Sequence, residues 1–568
     1  MRRVLASAVW LALLVCAMTP PAAPGAAIVA LYTFSDGVDG ATPESGLIQA
    51  PSGVCYGTTI NGGSNGPIRA GTIFKVTTNG VLTPLYTLTE GANNSGLPYA
   101  GLALAANGIL YGDGQYGGTN NNGSVFKITT NGAFTELYGF TQVRGGDLTN
   151  TDGANPTATL VLGTNGNFYG TAPNGGSNGV GAIFEITTNG ALTRLHSFTN
   201  GSDGANPGAL FQSSNGLIYG TANTGGANGN GTIFKMTAAG QLTAMYSFSN
   251  GVDGGYPGPA LVQGANGILY GTAGAGGSNS SGVIFQITTN GAFTPLYSFA
   301  PSGSSGLGTT NADGLNPGAL LVTPNGTIYG FGRAGGLNGT GTLFQFSPTA
   351  GLTLLYTFLT GPAGANGVTN AVGANPTGIM LGSDGTLYGT AKYGGSNGYG
   401  VVFQMGLPPQ ITSQPTNCSV ALGGNAVFSI SASVPACQWQ LNGVDIPRAT
   451  NLALTNLNVQ ITNAGPYQAV VSNTYGSVTS LVANLNITNV PVLFETGPGD
   501  LQYGGGQFSL LLTNLTGQGS VIIDLSTNLP EWTPVFTNPP SFGQFQFMDS
   551  SAAANPCGFY RARFIPGQ

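Results

Sequence analysis

The sequence predicts an all-β protein: a seven-bladed β-propeller closed by its own N-terminal strand, followed by two smaller β-domains. Three observations carry that expectation. The first is a phrase, written GALFQSSNGLIYGTANTGGANGNGTIFKMTAAGQLTAMYSFSNGVDG over residues 208–254, that returns seven times. Its Tyr-Gly step falls at Tyr56, Tyr111, Tyr169, Tyr219, Tyr270, Tyr329 and Tyr388. Steps about 50–60 residues apart mark a propeller or solenoid, because one such unit cannot bury its apolar face alone. The second is that each unit holds four short β-forming runs punctuated by turn dipeptides such as Asn79-Gly80, Asn215-Gly216 and Asp384-Gly385. Asn-Gly and Asp-Gly are strong hairpin signals, expected here as type I′ turns in which both central residues take φ > 0. Each unit therefore reads as a four-stranded antiparallel meander, one propeller blade. The third lies at the ends of the array. The third-strand phrase ends with Val402-Phe403-Gln404, whereas the fourth-strand phrase makes its first appearance at residues 31–34, before any other strand. The last blade lacks an outer strand that the N-terminus can supply, and pairing the two removes an exposed sheet edge.

Composition supports this architecture. Charged residues are only 6% of the chain, and 96 of its 568 residues are glycine, against about 25% charged and about 7% glycine in an ordinary domain. The glycines sit at fixed repeat positions between β-branched and aromatic runs, so they are turn chemistry rather than disorder. A net charge of −6 without any basic cluster excludes a nucleic-acid partner. Residues 1–27 have the order of a secretory signal peptide: Arg2 and Arg3, an apolar run over residues 4–18, then small residues with Gly25 and Ala27 placed for cleavage before Ile28. No later segment has the ~20 apolar residues of a membrane span. A secreted or cell-surface location follows.

The propeller is expected over residues 28–407, ended by Pro408-Pro409. Residues 408–488 resemble an immunoglobulin I-set-like sandwich. The resemblance rests on Trp439 in QWQLNG and on Asn463-Ala464-Gly465-Pro466-Tyr467, which matches the D-x-G-x-Y tyrosine corner with Asn for Asp. Ile430 and Ala469 stand where that family has its inter-sheet cysteines. Cys418 and Cys437 lie close together in this domain and are expected to form a disulfide. Cys55 sits where other repeats carry Ile, Leu or Phe and reads as a buried apolar side chain. Residues 489–568 are strand-rich, and their STNLPEWTPV and FYRAR phrases resemble the small C-terminal β-module of secreted Verrucomicrobia-type proteins. The YGT, GG-x-N-G, IFK, LYSF and DGANP phrases of the propeller units resemble the GloVer-type tandem repeat of secreted bacterial proteins. That resemblance implies a location and an architecture, and it brings no catalytic residues.

Alternating strand direction sorts the connections onto two faces. The Asn-Gly hairpins share one face. The glycine-rich links and the DGANP interblade links share the other, where the insertions at residues 141–151, 300–312 and 359–371 also fall. A tight face and a variable face on one scaffold suggest that binding uses the variable face. There Asp39, Asp152, Asp203, Asp253 and Asp313 hold one repeat position. A ring of carboxylates suits Ca²⁺ or sugar hydroxyls; the competing reading is that each Asp caps its own turn. No other cofactor is expected. Arg333, Lys392 and Asp113 break the repeat symmetry, and Tyr116 and Tyr393, beside the GG phrase, are suited to stack on sugar rings. His196, the single histidine, replaces the Tyr of LYSF and reads as a packing residue. With one histidine, Ser-His-Asp catalysis and His metal sites lose their usual residue. The function expected is a non-enzymatic recognition or adhesion scaffold whose partner is extracellular polysaccharide or a surface protein. The alternatives are a two-carboxylate polysaccharide hydrolase or lyase, with Asp113 as its odd candidate, and a purely structural envelope component.

Overall fold

The computed structural model describes residues 28–566 apart from 64–69, 90–94, 147, 306–307, 324–325, 362, 365–366, 435, 474, 489–492, 495–500, 505–506, 517–518, 540–541 and 555–557. The expected signal peptide and Cys557 therefore lie outside the described residues. Among those described, strands dominate and the helical content is two 3₁₀ turns, Ile461–Asn463 and Ala552–Ala554. No helix is long and apolar enough to cross a membrane.

Seven antiparallel sheets of the predicted kind succeed one another along the repeat, giving an all-β, propeller-like body. In the fourth, Ala205–Gln212, Ile218–Thr224, Thr232–Met236 and Leu242–Ser247 pair in chain order. The seventh holds Asn370–Leu381, Leu387–Gly395 and Val401–Met405, and its fourth strand is Ile28–Thr33 from the other end of the array. That strand runs antiparallel to Val401–Met405, from Ile28 opposite Met405 to Thr33 opposite Val401.

The repeat signature has a packing cause. Gly220 lies directly across from Phe234 on the next strand, and a Cβ on Gly220 would stand 2.5 Å from the tip of that ring. The same clash recurs in every sheet, from 2.6 Å between Gly57 and Phe74 to 2.2 Å between Gly389 and Phe403. The Tyr-Gly step thus leaves a slot that the Phe of the third-strand phrase fills, and the ring covers backbone a bare glycine would expose. The covered face packs against the neighbouring sheet: Tyr169, Ile183 and Phe198 of the third share one core with Leu210, Ile218 and Phe234 of the fourth.

The hairpins differ from expectation. In residues 77–81 the Gly80 N–H donates to Thr77 O at 2.9 Å and the Thr77 N–H to Val81 O at 3.1 Å. Gly80 takes φ 87° while Asn79 stays out of the left-handed region. This is a type I turn closed by a glycine bulge, not a type I′ turn. The loop is one residue longer than type I′ allows, and the Thr77 hydroxyl accepts the Val81 N–H at 3.1 Å.

Beyond the repeats, Cys418–Ala421, Ala483–Thr488, Gly465–Asn473, Cys437–Leu441 and Val444–Asp445 form one sheet in that order, and Ala426–Ser429 pairs with Ala453–Asn456. Trp439 is fully buried beside Phe428 and Tyr467, and the Tyr467 hydroxyl donates to Asn463 O at 2.8 Å. The expected Cys418–Cys437 disulfide is corrected: both are free thiols. Their strands are separated by two others, and at ~4.8 Å per strand the pair exceeds the ~7 Å Cα separation a disulfide tolerates. In the last region, Asp524 is buried between Arg561 and Arg563 at 2.9 Å from each.

The strands that follow the repeats sit against the hairpin end of the array. Gln410 Nε2 donates to the Tyr329 hydroxyl at 2.9 Å, and Asn473 Nδ2 to Leu407 O at 2.8 Å. A Cβ on Gly385, in the Asp384-Gly385 hairpin, would stand 3.2 Å from Ser433 O.

Gly220→Ala should lower the unfolding free energy by about 1–3 kcal/mol, the usual cost of overpacking a filled core. Thermal or denaturant unfolding measures it, and Gly303→Ala, at an exposed position where an added Cβ meets nothing within 4 Å and φ is not positive, controls for the substitution itself.

Candidate ligand-binding face

The five repeated aspartates are the first test of the variable face, and they do not ring a cation. Each carboxylate is consumed within its own sheet. Asp253 accepts from the Tyr246 hydroxyl at 3.0 Å, the Ser249 N–H at 2.8 Å and the Ser249 hydroxyl at 2.5 Å. Asp39 does the same with Tyr32 and Ser35, Asp152 with Tyr138 and Thr141, and Asp313 with Tyr297 and the Ala300 N–H. Among the described residues no group of three His, Cys, Asp or Glu side chains is placed to hold a metal ion. The calcium expectation is therefore replaced by a clamp tying each DGANP link to the end of the preceding strand. Burial, with the carboxylate beside it, pushes the Tyr32 and Tyr246 hydroxyls up to about 12, so both remain donors. His196 is part of the same device: its Nε2 lies 3.0 Å from Asp203 Oδ2, where the other repeats use tyrosine. It does more than pack.

Asp113 is also corrected. It stands in the strand Leu110–Gly114, 1% exposed, and neither carboxyl oxygen has a hydrogen-bond partner. The threonines that hold this position elsewhere donate to a carbonyl of the following sheet: Thr171 to Gly208 O and Thr221 to Gly258 O, both at 2.9 Å. The site is thus built of acceptors, which suits a hydroxyl or a protonated acid and repels a carboxylate. Burial pushes the Asp113 carboxyl well above the ordinary range.

Of the remaining candidates Arg333 lines a central cavity of about 260 Å³ to which all seven repeats contribute, and Lys392 reaches it through its contact with Glu44 on the cavity wall. Two repeat positions frame its mouth. One follows the proline of DGANP: Glu44 and Tyr99 in the first two repeats, Thr157 and Thr377 in the third and seventh, glycine in the others. The other lies three residues beyond the glycine of Tyr-Gly: Arg333 and Lys392 in the last two repeats, and the uncharged Ile60, Gln115, Pro173, Asn223 and Gly274 elsewhere. Charge and aromatic side chains are therefore confined to one sector, running from the sixth sheet across the seventh and first to the second.

In that sector Lys392 forms an ion pair with Glu44 and lies over the Tyr393 ring, 5.3 Å from its centroid. Burial disfavours the ammonium, but Glu44 more than offsets this and raises Lys392 above the ordinary lysine range. Tyr99 lies within electrostatic reach of Glu44, Lys392 and Tyr116. Arg333 is half-buried; desolvation lowers its guanidinium from the usual value while Glu44 opposes the shift. Tyr393 faces a separate groove of about 340 Å³ with Asp36, Thr42 and Tyr399. The structure thus brings Lys392, Tyr393, Tyr116 and Arg333 into one sector, while Asp113 is enclosed in its strand and the five aspartates are taken up by their own links. Glu44 and Tyr99 escaped the sequence reading. Their signal was available: a charge and an aromatic at a position otherwise held by Thr or Gly.

This fold and face define an all-β, propeller-like tandem-repeat protein. The family model of the Gloeobacter/Verrucomicrobia repeat matches residues 19–150 and 146–309, more than half of the chain, and the protein belongs to that family. The chain is 33% identical over 101 residues to Endoglucanase C of Cellulomonas fimi, a match that takes in 16% of this chain and 9% of the endoglucanase. Among solved structures it is similar to the periplasmic gluconolactonase of Pseudomonas aeruginosa, at 14% identity and a TM-score of 0.39, over 62% of this chain and 99% of that one. It is also similar to an ulvan-degrading polysaccharide lyase, at 13% identity and a TM-score of 0.34, over 69% of this chain and 96% of that one.

Asp113→Thr should stabilise the protein at pH 7 by about 1–3 kcal/mol, the cost of an unsatisfied buried polar group. The folded carboxyl binds its proton more tightly than the unfolded one, so wild-type stability falls as pH rises above the unfolded value near 4. The advantage of the variant should therefore shrink toward pH 4. Denaturant unfolding at the two pH values reads both effects.

Proposed function

We propose that this protein is a secreted or cell-surface recognition scaffold that holds polysaccharide at the loop face of a seven-bladed propeller closed by its N-terminal strand. Residues 408–488 act as an immunoglobulin-like domain and residues 489–568 as a C-terminal β-module, together serving as spacer or attachment units. The observation that carries the reading is the asymmetry of the cavity mouth. A repeat maintained for packing has no reason to collect Glu44, Tyr99, Tyr116, Arg333, Lys392 and Tyr393 in one sector of one face. Contacts of the second domain with the hairpin end support the loop face as the free one. A groove with aromatic faces and a few fixed polar groups suits sugar rings, whose CH faces stack and whose hydroxyls need oriented partners. The stretch of likeness to an endoglucanase is in keeping with a polysaccharide setting.

Binding without catalysis is favoured over the hydrolase reading by what the nearby carboxylates do. Glycoside hydrolysis by two carboxylates needs them facing one another across the bond. Here Glu44 is ion-paired with Lys392 and Asp113 is enclosed without a partner.

On a polysaccharide array the full chain should bind selectively, and added EDTA should leave that binding unchanged, because the aspartates serve the clamps. Replacing Tyr116, Lys392 and Tyr393 together by Ala should weaken binding at least tenfold, about 1.4 kcal/mol. Binding to no polysaccharide, or binding indifferent to the triple substitution, would overturn the proposal.

A further inference from the structure

The mouth of the cavity opens into a groove of about 350 Å³ that runs past the third to sixth sheets and shares Arg333 with the cavity. Two features of this groove stand outside everything the repeat requires. The first is Tyr256, which lines it and is 41% exposed. Tyr256 occupies the DGANP position held by Asn155, Asn206, Asn316 and Asn375, and by Thr42 and Leu97 in the first two repeats, and all of these residues take φ between 49° and 59°. Asparagine adopts that left-handed conformation readily; a bulky aromatic there is an outlier. Among the residues at this position Tyr256 is the aromatic one, and its ring forms groove wall rather than core, which points to a use for the side chain.

The second feature is Arg333. Among the described residues no hydrogen bond or ion pair engages its guanidinium, and the charge acting on it is that of Glu44, itself paired with Lys392. The Arg333 guanidinium therefore stands half-buried at the junction of cavity and groove without a carboxylate of its own. A guanidinium in that state is relieved by a planar anion that takes two of its N–H groups at once. The groove beside it is lined by the prolines Pro207, Pro257 and Pro317, by Tyr256 and by asparagine amides, which offers CH and aromatic surface to a ring and hydrogen bonds to hydroxyls.

We propose that this groove takes an acidic sugar unit of the polysaccharide, a uronate, with its carboxylate forked on Arg333 and its ring laid against Tyr256. The inference rests on the polysaccharide-binding reading and adds the chemical class of the ligand. Charge at Arg333 sets the preference for acid over neutral sugar; the Tyr256 ring sets affinity for both. Because the contact is partly open to solvent, rising salt weakens it.

The test is calorimetric titration of the full chain with oligomers of galacturonate, glucuronate and mannuronate, each against its carboxyl-reduced neutral counterpart and a sulfated neutral oligomer. At least one uronate should bind ten times more tightly than its neutral form, with affinity falling as salt is raised. Arg333→Met should bring acid and neutral forms to equal affinity, retained neutral binding showing that the variant is folded, and Arg333→Lys should restore part of the preference. Tyr256→Asn should weaken both forms while leaving the melting temperature unchanged or higher, a split that a merely structural tyrosine would not give. Equal affinity for acid and neutral forms, a stronger preference for the sulfate ester, or a uronate preference that survives Arg333→Met would each overturn the inference and leave the polysaccharide reading standing. Failure to bind any oligomer of either kind would overturn both.

Discussion

The pairing of Ile28–Thr33 with Val401–Met405 is the constraint on which the rest depends. It brings together residues more than 360 positions apart in the chain, so its loop-closure cost falls late and must be offset by every contact that crosses the seam. Those contacts are numerous. Thr390 donates to Ser45 O at 2.7 Å, Thr377 to Pro43 O at 3.0 Å, and the Ser383 N–H to Gln49 Oε1 at 2.8 Å. The Glu44–Lys392 ion pair crosses it too. The candidate site is therefore centred on the seam: Arg333 and Lys392 come from the last two sheets, Glu44 and Tyr99 from the first two. Without the first strand in place, the two halves of the site have no reason to meet.

Repetition separates structure from function within this chain. A feature present in every sheet answers a need that every sheet has. The Gly–Phe slot closes the sheet face in all seven, and in five of them an Asp clamp anchors the link to the preceding strand. The clamp tolerates chemistry that preserves its hydrogen bond, as His196 does, and where Val372 replaces the acid, Asn370 closes the turn by accepting the Gly373 N–H at 2.6 Å. A feature present in one sheet answers something else. An aromatic Tyr256 in the groove wall, a bare Arg333 and an unsatisfied Asp113 each depart from what the other repeats hold at the same position.

Strand order, the borrowed outer strand and the tight hairpins were all legible in the sequence, because they follow from period, alternation and turn residues. The turn type was not: the same glycine-bulged closure forms after Thr77, Ala105 or Gly163, so it follows from loop length, which the Asn-Gly pair alone does not reveal. The aspartates misled because side-chain capping and cation binding ask for the same residue, and the partners that decide between them, Tyr246 and Ser249, lie on a neighbouring strand end. Asp113 misled in the opposite way, since a charged letter amid loop glycines suggests exposure while its register buries it. Cys418 and Cys437 are near in sequence and far across the sheet. Glu44, Tyr99 and Tyr256 were visible only by aligning the repeats position by position and asking which residue departs.

The most direct test is native-state hydrogen exchange of the full chain, read at the amides of residues 28–33 and 401–405. If the first strand staples the array, both segments should exchange together, as slowly as the inner strands of the fourth sheet, and should open with the same free energy. Rapid exchange of residues 28–33 while the inner strands stay protected would mean that the ends are not held, and the site built across them would lose its foundation.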